Sequence, residues 1–163
     1  PQRVRLLQQG AARNGCTSIE ARQHDLEEAP DFLEAESFDR ILVDAPCSGL
    51  GVLRRNPESR WSRKAADLKE LAVLQLRILQ NLAPLVRPGG LMLYSLCTFS
   101  RAETFGVVDK FLAQHENFAL EPLQDHVPQE WQALLGSQGE LKTFPHKHDG
   151  MDAFFAVRLR RCG

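Results

Sequence analysis

No run of 18 apolar residues occurs anywhere in the chain, so no segment is long and apolar enough to cross a bilayer as a helix. The opening residues, Pro1-Gln2-Arg3-Val4-Arg5, lack the apolar core of a secretory signal. Cysteine is sparse and scattered. Cys16, Cys47, Cys97 and Cys162 form no CxxC pair and match no Cys/His zinc spacing, which argues against a disulfide-stapled secreted domain and a zinc module. Reduced thiols in a cytoplasmic protein are the expectation. A charge excess is also missing. With a formal net charge of −1, contact with nucleic acid must come from a local patch or a partner domain. His146-Lys147-His148-Asp149 has no third ligand at suitable spacing, and no metal is expected there. Repeats and low-complexity segments are absent. So is an initial Met, from which a piece of something longer is expected.

What is present reads as one domain with a core: 163 residues, 43% of them hydrophobic. Val4, Leu7 and Ala11 predict a helix over residues 3–14, stopped at Asn14-Gly15. A weakly alternating strand is expected over residues 18–23, delivering His24-Asp25 to a loop. Residues 40–43 form a buried strand, and residues 50–63 a long connection without periodicity. Leu71, Leu74, Ile78, Leu82 and Leu85 share one face of a helix over residues 64–85, with Ser62 placed to cap it and Arg87-Pro88-Gly89-Gly90 to stop it. Residues 91–96 are a continuous apolar strand. A helix over residues 102–115, a strand near residues 118–120, a loop-like region over residues 121–150 and a closing strand over residues 153–159 complete the pattern. Alternation of strand and helix implies an α/β fold with a parallel sheet.

The centre of this pattern is Asp44-Ala45-Pro46-Cys47-Ser48-Gly49, where a buried strand ends in a polar turn. One strand-helix-strand unit later, Ser95-Leu96-Cys97-Thr98 ends the next strand. Parallel neighbours deliver Asp44, Cys47 and Cys97 to one rim, where open α/β sheets bind ligands. A thiolate attacks soft, electron-poor carbons, and cysteine offers a useful thiolate fraction near neutrality. Pro46 sets the backbone, and Gly49 lets it turn tightly. Asp44 can hydrogen-bond an amino group or protonated ring nitrogen of the kind a cytosine offers. A second feature lies between the two thiols: Arg54, Arg55, Arg60, Arg63 and Lys64, with Trp61 among them, face a single Glu58. Such a loop suits RNA phosphates and base stacking, against the plainer reading of a solvated loop around a buried Trp.

These motifs resemble the Sun/Fmu family of S-adenosylmethionine-dependent RNA cytosine-5 methyltransferases of the bacterial 16S ribosomal RNA type. The likeness runs from about residue 3 to residue 160, and Asp149-Gly150-Met151-Asp152-Ala153-Phe154-Phe155-Ala156 resembles that family's closing DGFF strand with extra residues after Gly150. The resemblance implies a Rossmann-like class I methyltransferase sheet, mostly parallel. It makes Cys97 the nucleophile toward carbon 6 of the base, Cys47 the residue that helps resolve the covalent adduct, and Asp44 the group that holds and polarises the base. Asp25 and Asp44 are the implied contacts to S-adenosylmethionine; Pro46, Arg54, Arg55 and Arg60 are the expected contacts to substrate, a ribosomal RNA. The target base must be unstacked to reach such a pocket. Leu96-Cys97-Thr98 departs from the family's usual Thr-Cys-Ser.

The sheet's first strands and the family's glycine-rich cofactor loop are not found in the sequence. Gly89-Gly90 follows a helix and precedes a strand, the reverse of a dinucleotide loop. Residues 1–163 therefore read as the carboxyl-terminal portion of a catalytic domain, with weak cofactor binding expected of the chain alone and an open sheet edge that invites pairing. The alternatives are a transfer RNA or DNA cytosine methyltransferase, the DNA enzyme using Cys47 as nucleophile, an amino-group methyltransferase, which needs no cysteine, and a non-catalytic RNA-binding module. Glu103 follows the second motif, where an acid near a helix start serves the helix dipole as readily as chemistry.

Overall fold

The computed structural model describes residues 2–163. Helix α1 (Gln2–Arg13) matches the expected periodicity, yet none of its residues is buried. Its apolar stripe meets no core. Residues 14–37 form no strand. The strand expected over residues 18–23 is absent because those residues are exposed or half-buried and pair with no neighbour; a strand needs a hydrogen-bonded partner to form. The segment is held further along, where Leu26 and Leu33 pack on the core and Asn81 donates to the Leu26 carbonyl at 2.9 Å.

The sheet comprises β1 (Phe38–Asp44), β2 (Val86–Leu96), β3 (Phe118–Glu121), β4 (Leu141–Thr143) and β5 (Phe154–Arg161). Its main order is β1-β2-β5-β3, with β4 on β5. β1 and β2 are parallel, and β5 is antiparallel to both β2 and β3. β1, β2 and β3 therefore run in one direction, with β5 inserted against them. The mostly parallel expectation holds for strand direction, while the closing strand makes every pairing of its own antiparallel. Between β1 and β2 come a short helix α2 (Ser59–Ser62) and the long α3 (Ala65–Leu82); α4 (Phe105–Gln114) follows β2.

Three local expectations need correction. α3 is capped by Asp67, whose carboxylate accepts the Lys64 N–H at 3.0 Å, because Ser62 lies in α2 and donates instead to the Ser59 carbonyl. Arg87-Pro88-Gly89-Gly90 does not separate helix from strand. Phe38 pairs with Val86 and Arg40 with Leu91, so these residues bulge out within β2, with Gly89 at a φ of 73°. The loop-like region over residues 121–150 contains β4, where Thr143 pairs with Phe154.

α3 and α4 cover one face of the sheet. Met92, Tyr94 and Leu96 alternate onto that face from β2, beside Leu159, Val157 and Phe155 of β5, and all six are buried. Leu79 and Phe111 close the core from the helices. The other face is open at β1 and half-covered over β2 and β5. A hollow of 610 Å³ there is lined by residues including Arg40, Leu42, Leu93, His126 and Arg158, and Leu42 is 67% exposed. Among the described residues, no helix is long and apolar enough to cross a membrane.

Candidate active site

β1 and β2 are in parallel register with Asp44 opposite Ser95, so the residues that follow each strand emerge on one rim. The turn after β1 brings Cys47 back toward the turn after β2, and the two sulfurs stand 3.2 Å apart. Both thiols are free and half-buried. Burial, reinforced by the hydrogen bond to Cys97, pushes the Cys47 thiol up from 9.0 to about 12. Cys47 is therefore a thiol at neutral pH and can offer its proton to the neighbouring sulfur.

Backbone contacts clamp the two turns. Gly49 takes a φ of 70°, the left-handed region that a side chain would strain, and starts the short 3-10 turn Leu50–Val52. Gly51 then donates its N–H to the Cys97 carbonyl and accepts from the Ala153 N–H, both at 2.9 Å. A β-carbon on Gly51 would lie 2.0 Å from the Ala153 oxygen and 2.8 Å from that of Cys97. Asp152 and Ala153 stand directly before β5. Asp149 and Gly150 form a positive-φ turn ahead of it.

Beneath the thiols lies a buried polar cluster whose members the sequence pattern does not assign. The Glu103 carboxylate, fully buried, accepts from the Ser48 N–H at 2.8 Å and the Ser48 hydroxyl at 2.6 Å. It also accepts from Gln75 Nε2 at 3.2 Å and from the Thr98 hydroxyl at 3.3 Å. Gln75 donates in addition to the Pro46 carbonyl at 2.9 Å, and the Tyr94 hydroxyl to the Glu103 carbonyl at 2.9 Å. Burial, with the charges of Glu103 and Cys47 behind it, drives the Tyr94 phenol far above its usual range. None of these partners of the carboxylate is a backbone N–H at the start of α4. One signal was available for Gln75: it is a lone amide on the apolar face of α3, between Leu71 and Ile78.

The remaining expected residues are less constrained. Asp44 and Pro46 are exposed, and the Asp44 side chain has no hydrogen-bond or ion-pair partner among the described residues. Asp25 is exposed in an irregular turn, not at a strand end, and its carboxylate accepts the Glu27 N–H at 3.0 Å. Arg54 and Arg55 both pair with Asp152, Arg54 at 3.6 Å, which ties the arginine loop to β5. Arg63 donates to the Ser48 carbonyl at 3.1 Å. Arg60 lies 5.7 Å over the ring of Trp61, which is 84% exposed. The buried-Trp reading of this loop is therefore wrong: α2 is a four-residue turn that lies outside the core.

Residues 1–160 match the family described as 16S rRNA methyltransferase RsmB/F. The chain is 41% identical over 164 residues to a Bacillus subtilis protein named "Probable ribosomal RNA small subunit methyltransferase B", covering 99% of this chain and 36% of that one. It is 39% identical to the ribosomal RNA small subunit methyltransferase B of Pasteurella multocida, over 78% of this chain and 27% of the relative. The crystal structure of NSun6 from Pyrococcus horikoshii with SFG superposes with a TM-score of 0.78 at 28% identity, over 99% of this chain and 39% of the other. The chain thus spans roughly a third of the length of the relatives it matches. The two cysteine turns, the sheet that carries them and the matched residues lead to one conclusion: this chain belongs to the RsmB/F methyltransferase family.

Proposed function

We propose that this chain is the base-handling part of an enzyme that transfers a methyl group from S-adenosylmethionine to carbon 5 of a cytosine in ribosomal RNA. The observation that carries this reading is the pair of thiols 3.2 Å apart on the rim of two parallel strands. In the proposed reaction, the Cys97 thiolate attacks carbon 6 of an unstacked cytosine and makes carbon 5 nucleophilic. Asp44, at the end of β1, holds the amino group and ring nitrogen of the base. S-adenosylmethionine, when bound, would give its methyl group to carbon 5, the sulfur–methyl bond breaking and the neutral thioether leaving. When carbon 5 then loses its proton to bulk base, the ring double bond re-forms and the bond from carbon 6 to Cys97 breaks. The Cys47 thiol, protonated near neutrality, donates a hydrogen bond to the departing sulfur.

Two acids of this chain suit the cofactor's ammonium and hydroxyl groups: Asp44, whose carboxylate is unengaged, and the exposed Asp25. The related structure with SFG, an analogue of S-adenosylmethionine, supports the same cofactor. A DNA-type mechanism, with Cys47 as nucleophile, is the competing assignment, and the two cysteine substitutions below separate it from this one. The names of the relatives favour ribosomal over transfer RNA. Such a substrate fits a cytoplasmic protein.

The test is a pair of substitutions in the full-length protein, with denaturing gels to detect a covalent protein-RNA adduct. Cys97→Ala is expected to abolish the adduct and lower kcat by on the order of 10⁴- to 10⁶-fold, the scale of losing a covalent nucleophile. Cys47→Ala is expected to accumulate the adduct. The reverse pattern would overturn the assignment.

The RNA surface is proposed to lie on the loop that carries Arg54, Arg55, Arg60 and Trp61. Arg60 and Trp61 offer an exposed cation beside an exposed ring, while Asp152 holds Arg54 and Arg55 in place. Charge reversal at Arg54 and Arg60 should lower the salt dependence of RNA binding by about one unit of log-log slope for each phosphate the loop no longer neutralises. An unchanged slope would remove this loop from the interface.

A further inference from the structure

We infer that Glu103 is a positioning residue for the two thiols: its buried carboxylate locks the Cys47 turn onto the Cys97 turn and sets the spacing of the sulfurs. The inference rests on the two-thiol reading above. Four hydrogen bonds reach this carboxylate from three separate places. Ser48, next to Cys47, supplies its N–H and hydroxyl; Thr98, next to Cys97, supplies its hydroxyl; Gln75 supplies its amide from α3. Ser48 and Thr98 also meet directly, at 2.9 Å between hydroxyl oxygens. Each cysteine is therefore one peptide away from a residue bound to the same carboxylate.

The chemistry of the cluster asks for a carboxylate. One Glu103 oxygen faces two N–H groups, from Ser48 and Gln75, that can only donate. The other faces two hydroxyls, which can turn to donate or accept. A glutamine at position 103 can satisfy the first pair with its carbonyl and place its amide against the hydroxyls, so Glu103→Gln keeps the shape and weakens the link. Glu103→Ala removes the link and leaves the Ser48 N–H buried without its partner. The Glu103 carboxylate is not committed to the start of α4: its four hydrogen bonds come from Ser48, Thr98 and Gln75, none of them from a backbone N–H of that helix, whose N-cap residue is Thr104. Glu103 also does not touch the sulfurs, and its effect on them passes through Ser48 and Thr98.

The spacing of the thiols can be read without any methyl transfer. Hydrogen peroxide oxidises one thiol, reacting as its thiolate after giving up a proton, to a sulfenic acid, and the released hydroxide takes that proton to leave as water; a thiol within reach then displaces the sulfenic oxygen as a second water and closes a disulfide. Two thiols and one peroxide give one disulfide and two waters. In wild-type protein, peptide mass mapping should find the Cys47–Cys97 disulfide as the main product. In Glu103→Ala its rate of formation should fall about tenfold, with sulfenic acid trapped by dimedone in its place, because the bond tolerates only a narrow range of geometry. Glu103→Gln should be intermediate. In the full-length enzyme the same variants should lower kcat with little change in KM, by up to ~10²-fold for a displacement of about 1 Å.

If either variant is folded by circular dichroism and forms the disulfide at the wild-type rate with wild-type kcat, the inference is overturned. If Glu103→Ala does not fold, Glu103→Gln and Ser48→Ala decide by the same readout. A slowed disulfide in protein that fails to methylate ribosomal RNA even as wild type would leave the positioning role standing and reject the proposed reaction instead.

Discussion

Ser48 and Asp44 are four residues apart in one motif, yet they sit in opposite environments. Ser48 is buried, bonded through both its N–H and its hydroxyl to Glu103, while Asp44 is exposed and its carboxylate has no partner among the described residues. The same division runs through the molecule. On one side of the sheet, α3 and α4 bury Tyr94, Phe111 and Phe155 around the thiol turns; on the other, Leu42 and a 610 Å³ hollow lie bare. The thiol half of the site is held by this chain's own packing. The acidic half is exposed: Asp44 ends β1 without a partner among the described residues, and Asp25 stands beside Leu26, which Asn81 of α3 holds, with the Glu27 N–H on its carboxylate.

The largest break in that comparison on the stability scale should come from the clamp at Gly51. With a β-carbon only 2.0 Å from the Ala153 oxygen, Gly51→Ala must push β5 and the Cys97 turn away from the first motif. A loss of about 3 kcal/mol is expected, at the upper end of overpacking costs, since both clashing groups are backbone and cannot rotate aside. Urea unfolding measures this, and a midpoint within error of wild type would show that the clamp yields easily.

High pH probes the same side more gently. The folded Cys47 thiol is raised to about 12 from an ordinary 9.0, so the folded state holds its proton more tightly than the unfolded chain does. The stability this contributes is fully present below about pH 9 and is lost as pH climbs toward 12. Tyr94, raised in the same direction, adds to the alkaline loss above its own ordinary value of 10.0. Cys47→Ala should flatten the slope between pH 9 and 10, before tyrosine contributes. An unchanged slope in the variant would mean that Cys47 is not the titrating group.

The unequal legibility of the sequence follows the same line. The buried half is readable because its strands are apolar and its helices periodic: β1, β2, α3 and α4 lie where residues 40–43, 91–96, 64–85 and 102–115 point, and the thiols do share a rim. Glu103 is visible in the sequence without a role, because an acid beside a helix start has an ordinary use and only a bond to Ser48, 55 residues away, distinguishes it. The expected strand over residues 18–23 fails for the opposite reason. Alternation specifies which face a strand would bury, but the strand forms only when a neighbour supplies hydrogen bonds, and residues 18–23 have none. The arginine loop is half legible: its charges can be counted, but the pairing of Arg54 and Arg55 with Asp152 depends on β5 returning beside Gly51.

The smallest effect on stability should come from the open side itself. Asp44→Asn removes a charge from an exposed side chain that has no protein partner among the described residues, so the unfolding midpoint should move by no more than about 0.5 kcal/mol. Its effect on function should be out of proportion. If Asp44 holds the amino group and ring nitrogen of the base as a charged acceptor, the full-length variant should lose about 10²-fold or more in kcat/KM, the scale of a positioned acid-base group. A variant that lost several kcal/mol instead would mean that Asp44 is part of the scaffold, erasing the division between the two halves of the motif. One that kept both stability and activity would leave Asp44 with no role, and would shift recognition of the base to the clamped side, onto the turn that carries Pro46 and Cys47.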